Sequence, residues 1–219
     1  LIGTPVGQKV AVIGGGLTGV LTAWVLQRMG GKTILLEAGR LGSGQTGNTT
    51  AKITAQHNLI YARLIKEFGL EQAKQYAQIN QRAVEQYREL VSSHRIECDF
   101  TDCPAYLYTT GDPSALEEEA KAANQVGLPY EFVTQTCLPF AVTGAVRLDR
   151  QARFHPLAFL YRMAKNLTVY ENTRVTKIEG DHTLVTTGGR VTAQTVVFAC
   201  HFPFVNFPGF YFMRMYQER

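Results

Sequence analysis

Six residues after a short β-branched run, Gly14, Gly15, Gly16, Leu17, Thr18 and Gly19, constrain this chain more than any other segment. The run before them, Lys9 to Ile13 (KVAVI), reads as a strand buried on both faces. Val20 to Met29 after them is good helix material, and Gly30 with Gly31 stops it. Lys32 to Glu37 (KTILLE) is then a second strand that ends in an acid, 18 residues after Gly19. A lone GxGxxG is weak evidence, and a glycine turn beside a surface Glu is the alternative. Strand, glycine turn, helix and acid together predict a βαβ unit that binds a dinucleotide. Gly14 permits the tight turn, Gly16 lets backbone approach a pyrophosphate, and Gly19 lets the helix pack closely on the strand. The helix start offers N–H groups and partial positive charge to the phosphates. Glu37 can accept the ribose hydroxyls and disfavours a 2′-phosphate, which argues against NADP.

The rest of the chain chooses between NAD and FAD. A plain NAD domain would continue in βα alternation. Here a polar loop, Arg40 to Thr50, leads to two helices, Leu59 to Phe68 and Glu71 to Val91, divided by Gly69. Strands are expected at Ala105 to Thr110, Tyr130 to Val133 and Ala145 to Leu148. Asp112 and Pro113 should cap and open a helix that runs to about Gln125, and another is expected from Pro156 to Lys165. Leu167 to Tyr170, Thr173 to Glu179, Thr183 to Thr187 and Arg190 to Thr192 read as a β-meander, and Thr195 to Ala199 as a buried strand. An excursion that returns through a meander favours FAD.

Composition narrows the function classes. Lys plus Arg number 22 against 18 Asp plus Glu, with no basic block, so charge gives nucleic-acid binding no support. No window approaches the roughly 18 to 20 uncharged apolar residues of a membrane-spanning helix. Cys98, Cys103, Cys137 and Cys200 show neither CxxC nor CxH spacing, which predicts reduced thiols in a cytoplasmic protein and no metal cluster.

The stretch IGGGLTGVLTAWVLQRMGGKTILLEAGRLGSGQTG resembles the N-terminal part of the D-amino-acid-oxidase-like FAD-dependent oxidoreductases, the superfamily of glycine and sarcosine oxidases. TGNTTAKITAQHNLIY, with CDF and AYLYTT downstream, is similar to a bacterial branch in which some members carry a C-terminal Rieske iron–sulfur domain. The resemblance implies an α/β fold: an FAD-binding Rossmann-like domain of the two-dinucleotide-binding type with an inserted, incomplete α+β substrate domain. The expected boundaries are 1–95 with 150–202 for the FAD domain and 96–149 with 203–219 for the partial substrate domain.

Carried over by position, the resemblance gives Gly14, Gly16, Leu17, Thr18 and Gly19 to the pyrophosphate, Glu37 to the ribose and Arg40 to the neighbourhood of the adenosine. Thr46, Thr50 and Ala51 would face the phosphates and the isoalloxazine, and the backbone of Val175 would meet adenine. Ala199 matches the first position of an ATG-like segment, from which the chain departs because Cys200 and His201 follow with no glycine. A His stands at about the place of Thr46 in relatives that attach flavin covalently there, so noncovalent FAD is expected.

The implied activity is oxidation of a small-molecule amine or amino acid by hydride transfer to flavin N5. An NAD-linked dehydrogenase and a noncatalytic flavin-binding subunit are the alternatives. Relatives continue past position 219, so a truncated chain is expected that binds FAD weakly or not at all, and that either self-associates through the aromatic-rich segment after His201 or depends on a missing C-terminal segment. No catalytic residue is assigned. His57 is read as a cap or solvent-facing residue with a lesser claim to proton transfer at the flavin, His155 as a helix starter, and Tyr76 and Tyr87 as core stripe. His201 is read either as a packed loop residue or, because it follows a strand end where α/β sheets bind ligands, as one near the cofactor, and Cys98 with Cys103 would pair only if close in space.

Overall fold

In a computed structural model, the structure describes residues 6–180, 182–201 and 204, which form two compact units. The segment after His201, on which the expectations of self-association and a second substrate-domain excursion rest, lies outside the described residues apart from Phe204.

The first unit runs to Thr49 and resumes at Pro156. Its strand β1 (Lys9–Ile13) leads through the glycine turn into helix α1 (Leu17–Arg28) and strand β2 (Lys32–Leu36). The two strands pair in parallel, Ile13 opposite Leu36. Val10, Ala11, Val12 and Ile13 are all buried, as an interior parallel strand requires. A 3₁₀ turn at Gln45–Asn48 closes this part.

The second unit, 50–155, contains β3 (Lys52–Ile53), α2 (Tyr61–Phe68), α3 (Leu70–Ser93), β4 (Thr101–Thr109), α4 (Ser114–Gln125), β5 (Glu131–Val133) and β6 (Gly144–Arg153). The long β6 pairs antiparallel with β3, β4 and β5. Gly69, at φ +86°, separates α2 from α3 in a conformation that glycine adopts freely. Helix α4 begins one residue later than expected, because the Asp112 carboxylate accepts both the Ser114 N–H (3.0 Å) and the Ser114 hydroxyl (2.5 Å). Residues 50–95, expected with the dinucleotide domain, belong to this unit: Ala73 and Ala77 of α3 share a core with Leu116, Ala120 and Ala123 of α4 and with Val146 and Leu148 of β6.

The chain then gives the first unit α5 (Pro156–Ala164), β7 (Thr168–Tyr170), the meander β8 (Val175–Glu179), β9 (Thr183–Thr186) and β10 (Gly189–Thr192), and β11 (Thr195–Phe198). The parallel sheet has the order β11-β1-β2-β7. Two expectations change here. The segment read as the first meander strand pairs in parallel with β2, because the helix before it returns the chain to the sheet as a crossover does. Strand β11, read as buried, is partly exposed, because it pairs with β1 alone and is the outer strand among the described residues. The meander covers one face: Val175 and Leu184 pack with Ala11, Ile13, Leu36 and Val196.

Candidate dinucleotide site

The carboxyl ends of β1, β2 and β11 open onto a cleft of about 980 Å³. The tight turn out of β1 gives Gly14 φ +111°, and a Cβ there would stand 2.8 Å from the carbonyl of Ala199 and the nitrogen of Cys200. A Cβ on Gly19 would overlap the Gly14 carbonyl oxygen. These two glycines therefore serve packing, one between strands and one between helix and turn. Gly16 differs, since the nearest atom to a Cβ on it is Thr46 Oγ1 at 3.2 Å, and it faces the cleft.

Helix α1 starts with no side-chain cap from Gly16 and no acid in its own first turn. The Leu17 N–H donates to Thr46 Oγ1 (3.1 Å), which leaves the Thr46 proton free to be donated elsewhere. Opposite, Glu37 Oε2 accepts the Gly15 N–H (2.6 Å) and Oε1 accepts the Gly39 N–H (2.7 Å). Each carboxylate oxygen keeps a second lone pair for a hydroxyl donor. Burial pushes the Cys200 thiol above its ordinary range, and the Glu37 charge adds to this, so Cys200 meets the cleft as a neutral thiol at pH 7.

Of the residues singled out from the sequence, Gly14, Gly16, Leu17, Thr18, Glu37, Thr46, Val175 and Ala199 line this one cleft. Gly19 lies behind it, buried in α1. Arg40 is exposed and pairs with Glu171 at 3.9 Å. Thr50 and Ala51 belong to the second unit, where the Ala51 carbonyl accepts the Phe154 N–H (3.2 Å). His57 is exposed there, with Nε2 3.3 Å from Asn80 Oδ1. The His155 N–H donates to the Cys98 carbonyl. Cys98, Cys103, Cys137 and Cys200 are all free, so Cys98 and Cys103 do not form a disulfide. His201 lines the cleft.

Sequence reasoning missed Thr173, Arg174, Thr176, Phe198 and Phe204 as lining residues. It also missed Glu171, whose Oε1 accepts the Leu41 N–H (2.7 Å) and braces the loop after Glu37. The turn between β7 and β8 was the available signal, since it must lie at the same sheet end as Glu37 once β7 is parallel to β2. Among the described residues no group of His, Cys, Asp and Glu is arranged to hold a metal, and no helix is long and apolar enough to cross a membrane.

A parallel sheet whose first strand turns through three spaced glycines into a helix, over a cleft edged by an acid, defines a dinucleotide-binding α/β protein. The chain belongs to the DAO family of FAD-dependent oxidoreductases, whose family model matches residues 9–206. It is 34% identical, over 96% of its length, to a Bacillus subtilis (strain 168) protein described as a Rieske 2Fe-2S iron-sulfur protein, YhfW, of which it covers 43%. It is 26% identical to gamma-glutamylputrescine oxidoreductase of Escherichia coli (strain K12), over 87% of this chain and 48% of that one. The chain thus spans less than half the length of these relatives. L-proline dehydrogenase from P. horikoshii shares the fold with a TM-score of 0.71 at 20% identity, over 89% of this chain and 53% of that one. Glycine oxidase from Geobacillus kaustophilus gives 0.65 at 22% identity, over 88% and 55%.

Proposed function

We propose that this chain holds FAD noncovalently as part of an oxidoreductase acting on the carbon–nitrogen bond of a small amine or amino acid. The observation that carries the proposal is the convergence of Gly16, the start of α1 and the Glu37 carboxylate on one cleft. Backbone N–H groups at the helix start hold the pyrophosphate, Thr46 adds a hydroxyl donor, and Glu37 accepts from the adenosine ribose. When bound, FAD would supply the acceptor for a hydride from the carbon that bears the amine, and the iminium so left would be hydrolysed by water. The amine class is supported by gamma-glutamylputrescine oxidoreductase and L-proline dehydrogenase, each named for such a substrate. Four free thiols support a reducing compartment, the cytoplasm.

The test begins with the absorption spectrum of the purified chain after incubation with FAD and removal of excess. A flavin spectrum whose chromophore is released on denaturation supports noncovalent FAD; a colourless protein, or flavin that stays attached, counts against it. A panel of amines and amino acids, with oxygen and with a quinone analogue as acceptor, then tests the reaction on the longest form of the protein. Bound FAD with no turnover on any amine would point instead to a flavin-binding subunit.

A further inference from the structure

The cleft has an aromatic wall that the phosphate and ribose contacts leave unused. Phe198 ends β11 opposite Ile13, and Phe204 lies against it edge-on, with ring centroids 5.8 Å apart and an interplanar angle of 61°. Both line the cleft, and they remain 40% and 38% exposed. Val196, two residues before Phe198, packs with Val175 and Leu184 on the face covered by the meander. Strand alternation puts Phe198 on that same face, one step nearer the carboxyl end. Thr173, Arg174, Val175 and Thr176, which lead into the meander, line the cleft with it.

We propose that Phe198, buttressed by Phe204, is the surface on which the adenine ring of the dinucleotide stacks. The inference rests on the FAD reading above. Glu37 fixes where the ribose sits, and the sugar carries its phosphate and its base on different carbons. Its 5′ side must lead to Gly16 and the start of α1, so its base must lie on another side of Glu37. The Thr173 N–H donates to the Glu37 carbonyl (2.8 Å), which sets the strip at 173–176 beside the acid and on the face that carries Phe198. A purine placed there meets a π-face; the isoalloxazine, beyond the pyrophosphate, does not. Stacking on an aromatic side chain tolerates any base and needs no polar partner, which suits an apolar wall.

Calorimetric titration of the 219-residue chain with ADP and with FMN separates the two ends of the cofactor. Phe198→Ala and Phe198→Leu should weaken ADP binding about tenfold or more, the range that base stacking spans. Phe198→Trp should retain or tighten it, and FMN binding should be unaltered in all three. Thermal melts without ligand show whether each variant is folded, and the leucine variant keeps apolar volume while removing the ring. ADP affinity in a folded Phe198→Leu equal to that of the unsubstituted chain overturns the proposal, and so does a loss that falls on FMN instead. In both cases the FAD reading stands. Failure of the unsubstituted chain to bind either FAD or ADP overturns both.

Discussion

Glu37 Oε2 accepts a hydrogen bond from the Gly15 N–H at 2.6 Å, so the acid at the end of β2 braces the glycine turn before any ribose reaches it. Its other oxygen holds the Gly39 N–H, which ties the following loop to the same point. Glu37→Ala should therefore destabilise the ligand-free protein as well as weaken nucleotide binding. Charge-assisted hydrogen bonds contribute about 1.5 to 3 kcal/mol each at most, so a loss of about 2 to 4 kcal/mol is expected. Urea unfolding with and without ADP measures the two effects separately. Unchanged stability in the absence of ligand would contradict the bracing role.

The three motif glycines should respond differently to the same added methyl. Gly19→Ala drives a Cβ into the Gly14 carbonyl, and Gly14→Ala sets one against the Ala199 peptide at a positive φ. Both should yield insoluble or strongly destabilised protein. Gly16→Ala meets only Thr46 Oγ1 at 3.2 Å, so it should fold and lose flavin. Soluble yield and flavin content of the three variants give the comparison. A yellow, fully loaded Gly16→Ala would remove the pyrophosphate from this turn.

Glu119 is buried in the second unit and caps a helix to which it does not belong. Its Oε1 accepts the N–H groups of Ile60 and Tyr61 (2.9 and 2.8 Å), and Oε2 accepts that of Ala62 (3.0 Å). Glu119→Ala leaves these donors at the start of α2 without their acceptor and opens a void, for an expected loss of about 2 to 4 kcal/mol. Glu119→Gln, with one acceptor oxygen left, should lose less. Chemical denaturation ranks the pair, and equal losses would mean that volume, not capping, sets the cost.

Burial raises the Tyr61 and Tyr130 phenols above their ordinary pKa, and the Glu119 charge contributes to both shifts. A pKa raised on folding means the folded state holds its proton more tightly than the unfolded chain. Stability is then undiminished below the ordinary tyrosine pKa, about 10, and falls as pH rises above it. Tyrosinate absorbance followed with circular dichroism should show these two phenols ionising only as the second unit unfolds. The two hydroxyls differ otherwise: that of Tyr61 donates to the Ala55 carbonyl (2.6 Å), whereas that of Tyr130 faces Gln56 without forming a hydrogen bond of normal geometry. Tyr61→Phe should therefore cost about 0.5 to 1.5 kcal/mol, and Tyr130→Phe should be neutral or stabilising. Ionisation of both phenols in the intact fold would contradict the burial argument.

Local chemistry made much of this legible. Gly14, Gly16, Gly19 and Glu37 announce themselves because the turn, the close approach, the helix packing and the acid each demand a residue type at a fixed spacing. Gly69 marked the break between two helices for the same reason. What stayed hidden depends on pairing between distant segments. Nothing in Thr168 to Tyr170 says that its partner is β2 and not β8, since both pairings suit a short β-branched run. Phe198 looks like any core residue in a strand until the order of the sheet leaves it at the cleft. The trans cap from Glu119 to α2 likewise needs the tertiary fold, because an acid amid other acids in α4 carries no sign of its burial.

The wall behind Gly14 is built from Ala199 and Cys200, residues that a ribosome adds some 185 positions after the glycine turn itself. At ordinary elongation rates that interval is on the order of ten seconds or more. During it β1 and β2 can pair, while β1 has one edge waiting for β11. The nascent chain thus carries its most diagnostic motif early and gains the wall behind it late. A ligand that touches both the turn and this wall gives its full binding energy only to the finished chain.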